Sequence, residues 1–120
     1  MIVNDTKSLE HKLRYKKNLN PQTAAQLAKE LEAEFLIILT AVDQVAINYG
    51  RPDVRWLSRL TCQQAREYIA QGHFAPGSML PKVEAAVSFA ESGSGRAALI
   101  TRLVRAREGI LGLTGTRICR

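Results

Sequence analysis

The residues best suited to chemistry lie in one short segment, Gly77-Ser78-Met79-Leu80-Pro81-Lys82. The turn residues before Met79 predict a helix start with Ser78 as its N-cap, and Pro81 fits the first helical turn because it has no N–H to leave unpaired. Lys82 falls in that same turn, although the N-terminal end of a helix favours anions. Backbone N–H groups, a glycine that admits close approach and an ammonium group together predict an anion site, most simply one for phosphate.

The helix that follows this turn should bury one face, because its apolar residues recur at helical spacing: Met79, Val83, Ala86, Val87 and Ala90. The alternative for Gly77, Ser78 and Met79 is a purely structural role in the turn and the core. The alternative for Lys82 is a solvated surface lysine, which the residue type alone favours.

A second group of candidate residues follows a predicted buried strand. Residues 35–40 form a continuous apolar run, which is typical of a strand covered on both faces in a parallel sheet. Open α/β sheets bind ligands beyond the carboxyl ends of their strands. The candidate ligand contacts are therefore Thr40, Asp43, Asn48, Tyr49 and Gly50.

The two segments resemble the carbamate kinases of the amino-acid kinase superfamily. The resemblance is carried by Leu39-Thr40-Ala41-Val42-Asp43-Gln44-Val45-Ala46-Ile47-Asn48-Tyr49-Gly50, by Gly72-His73-Phe74-Ala75-Pro76-Gly77-Ser78-Met79-Leu80-Pro81-Lys82 and by Gly115-Thr116-Arg117-Ile118. It extends over roughly residues 19–118. This stretch corresponds to the C-terminal, nucleotide-binding part of such an enzyme.

The resemblance implies reversible phosphoryl transfer between ATP and carbamate, giving ADP and carbamoyl phosphate, with Mg²⁺ and a role in arginine metabolism. Lys82 is then the catalytic residue beside the transferred phosphate. The implied nucleotide-binding residues are Thr40, Asp43, Asn48, Tyr49, Gly50, Gly77, Ser78, Met79 and Lys82. Asp43 either hydrogen-bonds the ribose or caps a turn, and Tyr49 either covers the base or packs within its loop.

The chain also departs from the family pattern. The family's other catalytic lysine and the glycine-rich loops that hold the acceptor belong to the N-terminal half. The family's acidic-lysine-acidic motif is replaced by Leu19-Asn20-Pro21 in an ungapped match. We therefore expect nucleotide affinity with little or no carbamate kinase activity. Half a sheet leaves an unpaired edge, so we also expect a homodimer or a complementing N-terminal half.

The positive net charge permits a second interpretation of the function. The chain has 120 residues, a net charge of +6 and an isoelectric point near 9.8, which suits a polyanionic partner. The alternative function is a non-catalytic basic module that binds nucleic acid or a protein partner. Nucleic acid is the less favoured ligand, because the three Tyr, three Phe and one Trp are not interleaved with basic residues.

The remaining composition points to a cytoplasmic protein without a metal site of its own. Cys62 and Cys119 form neither a metal motif nor a disulfide framework, and His11 and His73 have no ligand at zinc spacing. A reducing cytoplasm is the natural inference. The first residues do not have the order of a signal peptide, and no apolar run is long enough to span a membrane.

Alternating helices and apolar strands must position these residues. Residues 1–18 predict a polar, basic tail or a weak helix, and residues 19–120 the nucleotide-binding domain. Predicted helices begin at Pro21, after Thr61, after Ser78 and at Leu103; predicted strands cover 35–40, 45–49, 96–101 and 115–118. This order predicts an α/β fold, a layered αβα sandwich with a mainly parallel sheet, equivalent to the C-terminal half of the amino-acid kinase fold.

Overall fold

A computed structural model describes residues 2–4, 13–15 and 20–120. The strands are β1 (Ile2–Asn4), β2 (Leu13–Tyr15), β3 (Phe35–Thr40), β4 (Val45–Ile47), β5 (Arg55–Leu57), β6 (Arg59–Thr61), β7 (Ala97–Arg102) and β8 (Thr116–Cys119). The helices are α1 (Pro21–Glu30), α2 (Cys62–Ala70), α3 (Met79–Glu91) and α4 (Ala106–Ile110), and a 3-10 turn covers Leu103–Arg105.

The strands form a six-stranded sheet in the order β2-β1-β3-β7-β8-β6 and a separate two-stranded sheet of β4 and β5. The longest pairing, β3 with β7, is parallel, and so is β6 with β8. The pairings of β1 with β2, β1 with β3, β7 with β8 and β4 with β5 are antiparallel. The predicted α/β fold is confirmed, with parallel pairing at its centre.

The main core lies between the six-stranded sheet and helices α1, α2 and α3. Successive side chains of a strand point to opposite faces. Leu36 and Ile38 of β3 therefore enter this core beside Ile100 of β7 and Phe89 of α3. On the other face, α4 lies against β7, so close that a Cβ added to Gly109 would be 2.8 Å from Cδ2 of Leu99. Within the described residues, no helix has the length and apolar character needed to cross a bilayer.

Two predicted helix starts are confirmed. The side chain of Asn20 accepts a hydrogen bond from the Thr23 N–H at 2.8 Å, with Pro21 in the first turn of α1. Thr61 and Gln64 form the predicted capping box at the start of α2. Helix α1 ends at Glu30, a few residues earlier than predicted, because Glu32 turns to a φ of 54°.

Other predicted elements differ in detail. The strand predicted over 45–49 stops at Ile47 because Asn48 adopts a φ of 55°. The helix predicted from Leu103 divides into the 3-10 turn and the short α4. Strands β1 and β2 lie within residues 1–18, where a tail or a weak helix was expected. Residue 1 and residues 5–12 and 16–19 lie outside the described part of the chain.

A buried hydroxyl joins the small sheet to the large one. Thr116 on β8 is fully buried. Its Oγ1 accepts a hydrogen bond from the Val45 N–H at 2.8 Å and donates to the Leu57 carbonyl at 2.5 Å. One side chain therefore fixes both strands of the β4–β5 hairpin against the end of the main sheet.

The turn before β8 gives a stability prediction. Gly115 has a φ of +84°, and an added Cβ would lie 2.8 Å from Cδ1 of Leu99 and 3.2 Å from the Ile100 carbonyl oxygen. We expect Gly115→Ala to lower the free energy of unfolding by about 1–2 kcal/mol for the left-handed backbone and by about 1–3 kcal/mol more for overpacking. Urea unfolding followed by circular dichroism measures the change.

The matched control is Gly95→Ala. Gly95 has a φ of +78°, but an added Cβ would meet no atom within 4 Å. This variant should show only the backbone loss. Equal losses for the two variants would contradict the close packing of Gly115 against β7.

Candidate functional site

A cavity of about 560 Å³ opens where β3 ends. This volume is within the range of small-molecule binding sites. Its walls come from the segment after β3, from the β4–β5 hairpin and from the turn that leads into α3. The predicted site residues that line it are Thr40, Tyr49, Ser78, Met79 and Lys82. Four others, Asp43, Asn48, Gly50 and Gly77, are not part of its lining.

Lys82 is a half-buried cation in this cavity. Its Nζ donates a hydrogen bond to Oγ1 of Thr40 at 3.0 Å, which joins the first turn of α3 to the carboxyl end of β3. Among the described residues, Lys82 has no ion pair with a carboxylate. Burial lowers the pKa of Lys82 because the ammonium loses part of its hydration. The arrangement favours an anionic ligand, whose negative charge would pair with the Lys82 ammonium.

The start of α3 differs from the sequence prediction. Ser78 makes no side-chain cap. The N–H groups of Ser78 and Leu80 both donate to the Ala75 carbonyl, at 3.1 and 3.0 Å. Gly77 does not adopt a left-handed φ, and an added Cβ would meet no atom within 4 Å. Two N–H groups at this helix start are therefore already paired within the turn, which leaves the ammonium of Lys82 as the main candidate group for an anion.

The hairpin contributes an aromatic wall. The rings of Tyr49 and Trp56 meet edge to face, with centroids 5.9 Å apart and planes at 84°. Both line the cavity, and their exposed fractions are 70% and 48%. Tyr49 therefore packs on Trp56 at the surface, and large aromatic faces remain open to a planar ligand.

Asn48 shapes the turn that presents Tyr49. Its N–H donates to Nδ1 of His73 at 3.3 Å, and its Nδ2 donates to Oδ2 of Asp53 at 3.2 Å. Gly50 follows with a φ of +83°. Asn48 and Gly50 thus hold the loop rather than line the cavity.

Asp43 lies beside the same sheet edge. Its Oδ1 is 3.3 Å from Nε of Arg102, and the two side chains are 42% and 47% exposed. Despite that distance, this buried oxygen receives no hydrogen bond within the described residues. No group of three His, Cys, Asp or Glu side chains in the described part of the chain could hold a metal ion alone.

Sequence reasoning did not identify Trp56, His73 and Phe74 as lining residues. The missed signal is a hairpin pattern. Val45–Ile47 and Arg55–Leu57 are two β-prone runs separated by residues 48–54, which include the turn residues Gly50, Pro52 and Asp53. In the structure Ala46 is paired with Trp56. A hairpin over residues 45–57 places Trp56 on the same face as Ala46, which also lines the cavity.

Comparison with known proteins finds relatives for about four fifths of the chain. A sequence model of the amino acid kinase family matches residues 18–101. A carbamate kinase-like protein, YqeA, of Escherichia coli is 59% identical over 96 residues, which is 80% of this chain and 31% of the relative. A carbamate kinase of Clostridium perfringens is 45% identical over 95 residues, 79% of this chain and 30% of the relative.

Among solved structures, a Giardia lamblia carbamate kinase bound to AMP-PNP matches with a TM-score of 0.75 and 41% identity. The match covers 79% of this chain and 30% of that chain. The chain thus spans about 30% of the length of the relatives it matches. With the family model matching residues 18–101, the chain belongs to the amino acid kinase family, and its relatives there include carbamate kinases.

Proposed function

We propose that this chain binds ATP and ADP in the cavity at the end of β3, as the nucleotide-binding part of a carbamate kinase-like protein. The observation that carries the proposal is Lys82, a half-buried ammonium in a cavity of about 560 Å³ without a carboxylate partner among the described residues. An anionic ligand restores the favourable electrostatics that burial removes.

The two ends of a nucleotide fit the two sides of the cavity. The triphosphate would lie at Lys82 and Thr40, where the ammonium and the hydroxyl can both donate hydrogen bonds. The adenine would lie at the exposed faces of Tyr49 and Trp56. Ser78 and Met79 also line the cavity. Asp43, Asn48, Gly50 and Gly77 would act at the margin of the site rather than in its wall.

The reaction we propose is that of the family. An oxygen of carbamate forms a bond to the γ-phosphorus of ATP while the bond from that phosphorus to ADP breaks, which yields carbamoyl phosphate. Lys82 would stabilise the charge on the transferred group. Mg²⁺ would neutralise the phosphates when bound, and this ion usually takes one or two carboxylates together with phosphate oxygens. Asp43 is a suitable carboxylate because its Oδ1 receives no hydrogen bond among the described residues.

We also propose a protein partner and a cytoplasmic location for this chain. By the resemblance, the residues that hold carbamate lie outside the 120-residue stretch, so we propose that a complementing N-terminal half supplies them. A homodimer is the alternative assembly, in which a second copy would cover exposed surface without supplying those residues. Five large apolar side chains exposed between β7 and β8 support a protein partner: Leu103, Val104, Ile110, Leu111 and Leu113. Free Cys62 and Cys119 support a cytoplasmic location, and arginine breakdown is the metabolism implied.

Lys82→Ala tests the proposed nucleotide site. Removing a charged hydrogen-bond donor should weaken ATP and ADP binding by about tenfold to a hundredfold. Calorimetry and the nucleotide-induced rise in Tm measure the loss.

Lys29→Ala is the matched control, because Lys29 donates to Oγ of Ser88 at 2.6 Å and lies outside the cavity lining. Its affinity for ATP should equal that of the unsubstituted chain. Unchanged ATP binding by Lys82→Ala would refute the proposed site. Salt-sensitive retention of RNA or DNA without any nucleotide binding would instead favour the basic binding module.

ATP binding should also depend on pH through Lys82. The lowered pKa of Lys82 means that its charge, and the ATP affinity that depends on it, is present below this pKa and lost as pH rises through it. ATP affinity should therefore fall at a lower pH than the ordinary range of lysine would give. Arg stays charged in that range, so Lys82→Arg should have a flat profile. Calorimetric titrations between about pH 7 and pH 10.5 compare the two, and parallel profiles would contradict this role of Lys82.

Carbamate kinase activity should be absent from this chain alone. The 120-residue chain alone should form ATP from ADP and carbamoyl phosphate at no more than the background rate, because the acceptor-binding residues implied by the resemblance are not within it. A hexokinase-coupled assay measures this rate. Robust, enzyme-dependent ATP formation would show that these residues catalyse the reaction unaided.

A further inference from the structure

We propose that Arg102 is a second phosphate-binding cation, which acts beside Lys82 on the nucleotide. In the sequence, Arg102 is one of several arginines in the last 20 residues of the chain. The structure brings it to the same edge of the sheet as Lys82. This inference rests on the nucleotide site proposed above and adds a residue to it.

The pairing of β3 with β7 brings Arg102 to this edge. The two strands are parallel over their whole length, and Thr40 and Arg102 are direct partners in the register. Both strands therefore end at the same edge, and neighbouring strands lie about 4.8 Å apart. Thr40 accepts the hydrogen bond of Lys82. Arg102 therefore lies on the strand next to the residue that contacts the first cation.

The two side chains also leave the sheet on the same face. Leu36 and Ile38 of β3 point into the main core, and so do Ala98 and Ile100 of β7. Alternation along each strand then directs Thr40 and Arg102 toward that same face, over which α3 packs. Arg102 is exposed because it lies at the open end of this layer.

The present partner of Arg102 is weakly held. Nε lies 3.3 Å from Oδ1 of Asp43, yet that oxygen receives no hydrogen bond within the described residues. Exposed ion pairs of this kind contribute little to stability. A guanidinium can exchange such a contact for phosphate oxygens, which it binds through two parallel N–H groups.

Two cations, Lys82 and Arg102, suit the binding of a triphosphate better than one lysine does. A nucleotide triphosphate carries several negative charges over a length that one ammonium cannot cover. Arg102 would bind phosphate oxygens that Lys82 does not reach, and Asp43 would hold the guanidinium near the site while it is empty. A ligand with phosphates but no base should therefore depend on both cations.

The test uses Arg102→Gln and inorganic tripolyphosphate. This variant removes the charge but retains a polar side chain at an exposed position, and it should weaken tripolyphosphate and ATP binding by about tenfold or more in Mg²⁺-free calorimetry. Adenosine binding should not change, which also shows that the variant is folded. Arg102→Lys, which keeps the charge without the paired N–H geometry, should recover part of the loss.

Arg105→Gln is the control for net charge, because Arg105 is exposed on the following turn; it should bind tripolyphosphate as the unsubstituted chain does. Unchanged tripolyphosphate binding by Arg102→Gln, or an equal loss in Arg105→Gln, would overturn the role of Arg102 alone. If the unsubstituted chain binds neither ATP nor tripolyphosphate, the proposed function fails, and the role of Arg102 fails with it.

Discussion

The parallel pairing of β3 with β7 is the constraint on which the rest of the structure depends. Six residues of each strand pair without interruption, from Phe35 with Ala97 to Thr40 with Arg102. Residues 36–38 of β3 and 98–101 of β7 are buried on alternating faces of the sheet, so a shift of one residue would exchange the side chains that fill the two faces. The same register that fills the core therefore fixes which polar residues meet at the carboxyl edge.

Helix α3 forms one wall of the candidate site at this edge. Its buried face, which includes Val83, Ala86 and Phe89, packs in the core beside β3 and β7. This packing fixes the position of the first turn, from which Lys82 reaches Thr40. The partial desolvation that lowers the pKa of Lys82 is a consequence of the same packing. Burial of the apolar face of α3 thus offsets the cost of partly desolvating the Lys82 ammonium. A bound anion would lower that cost.

The second wall depends on a different interaction. The β4–β5 hairpin is not paired with the main sheet, and Thr116 links it there through hydrogen bonds to Val45 and Leu57. Because this hydroxyl is fully buried, losing it would leave the Val45 N–H without its partner. Tyr49 and Trp56 face the cavity from the hairpin. Both walls of the cavity are thus formed within residues 40–82, although the chain spans only about 30% of its relatives' length.

The sequence by itself determined the elements whose signals are local. Asn20 with Pro21 and Thr61 with Gln64 are caps that act within four residues, and the apolar run 35–40 is a strand wherever it is buried. It also indicated Lys82, Thr40 and Tyr49 as candidate site residues. Only the tertiary structure decided the contacts between distant segments: the Thr40–Lys82 hydrogen bond, the facing rings of Tyr49 and Trp56, and the place of Arg102 beside Thr40. The physical reason is that strand register and helix packing depend on the whole core, whereas capping and periodicity depend on near neighbours alone.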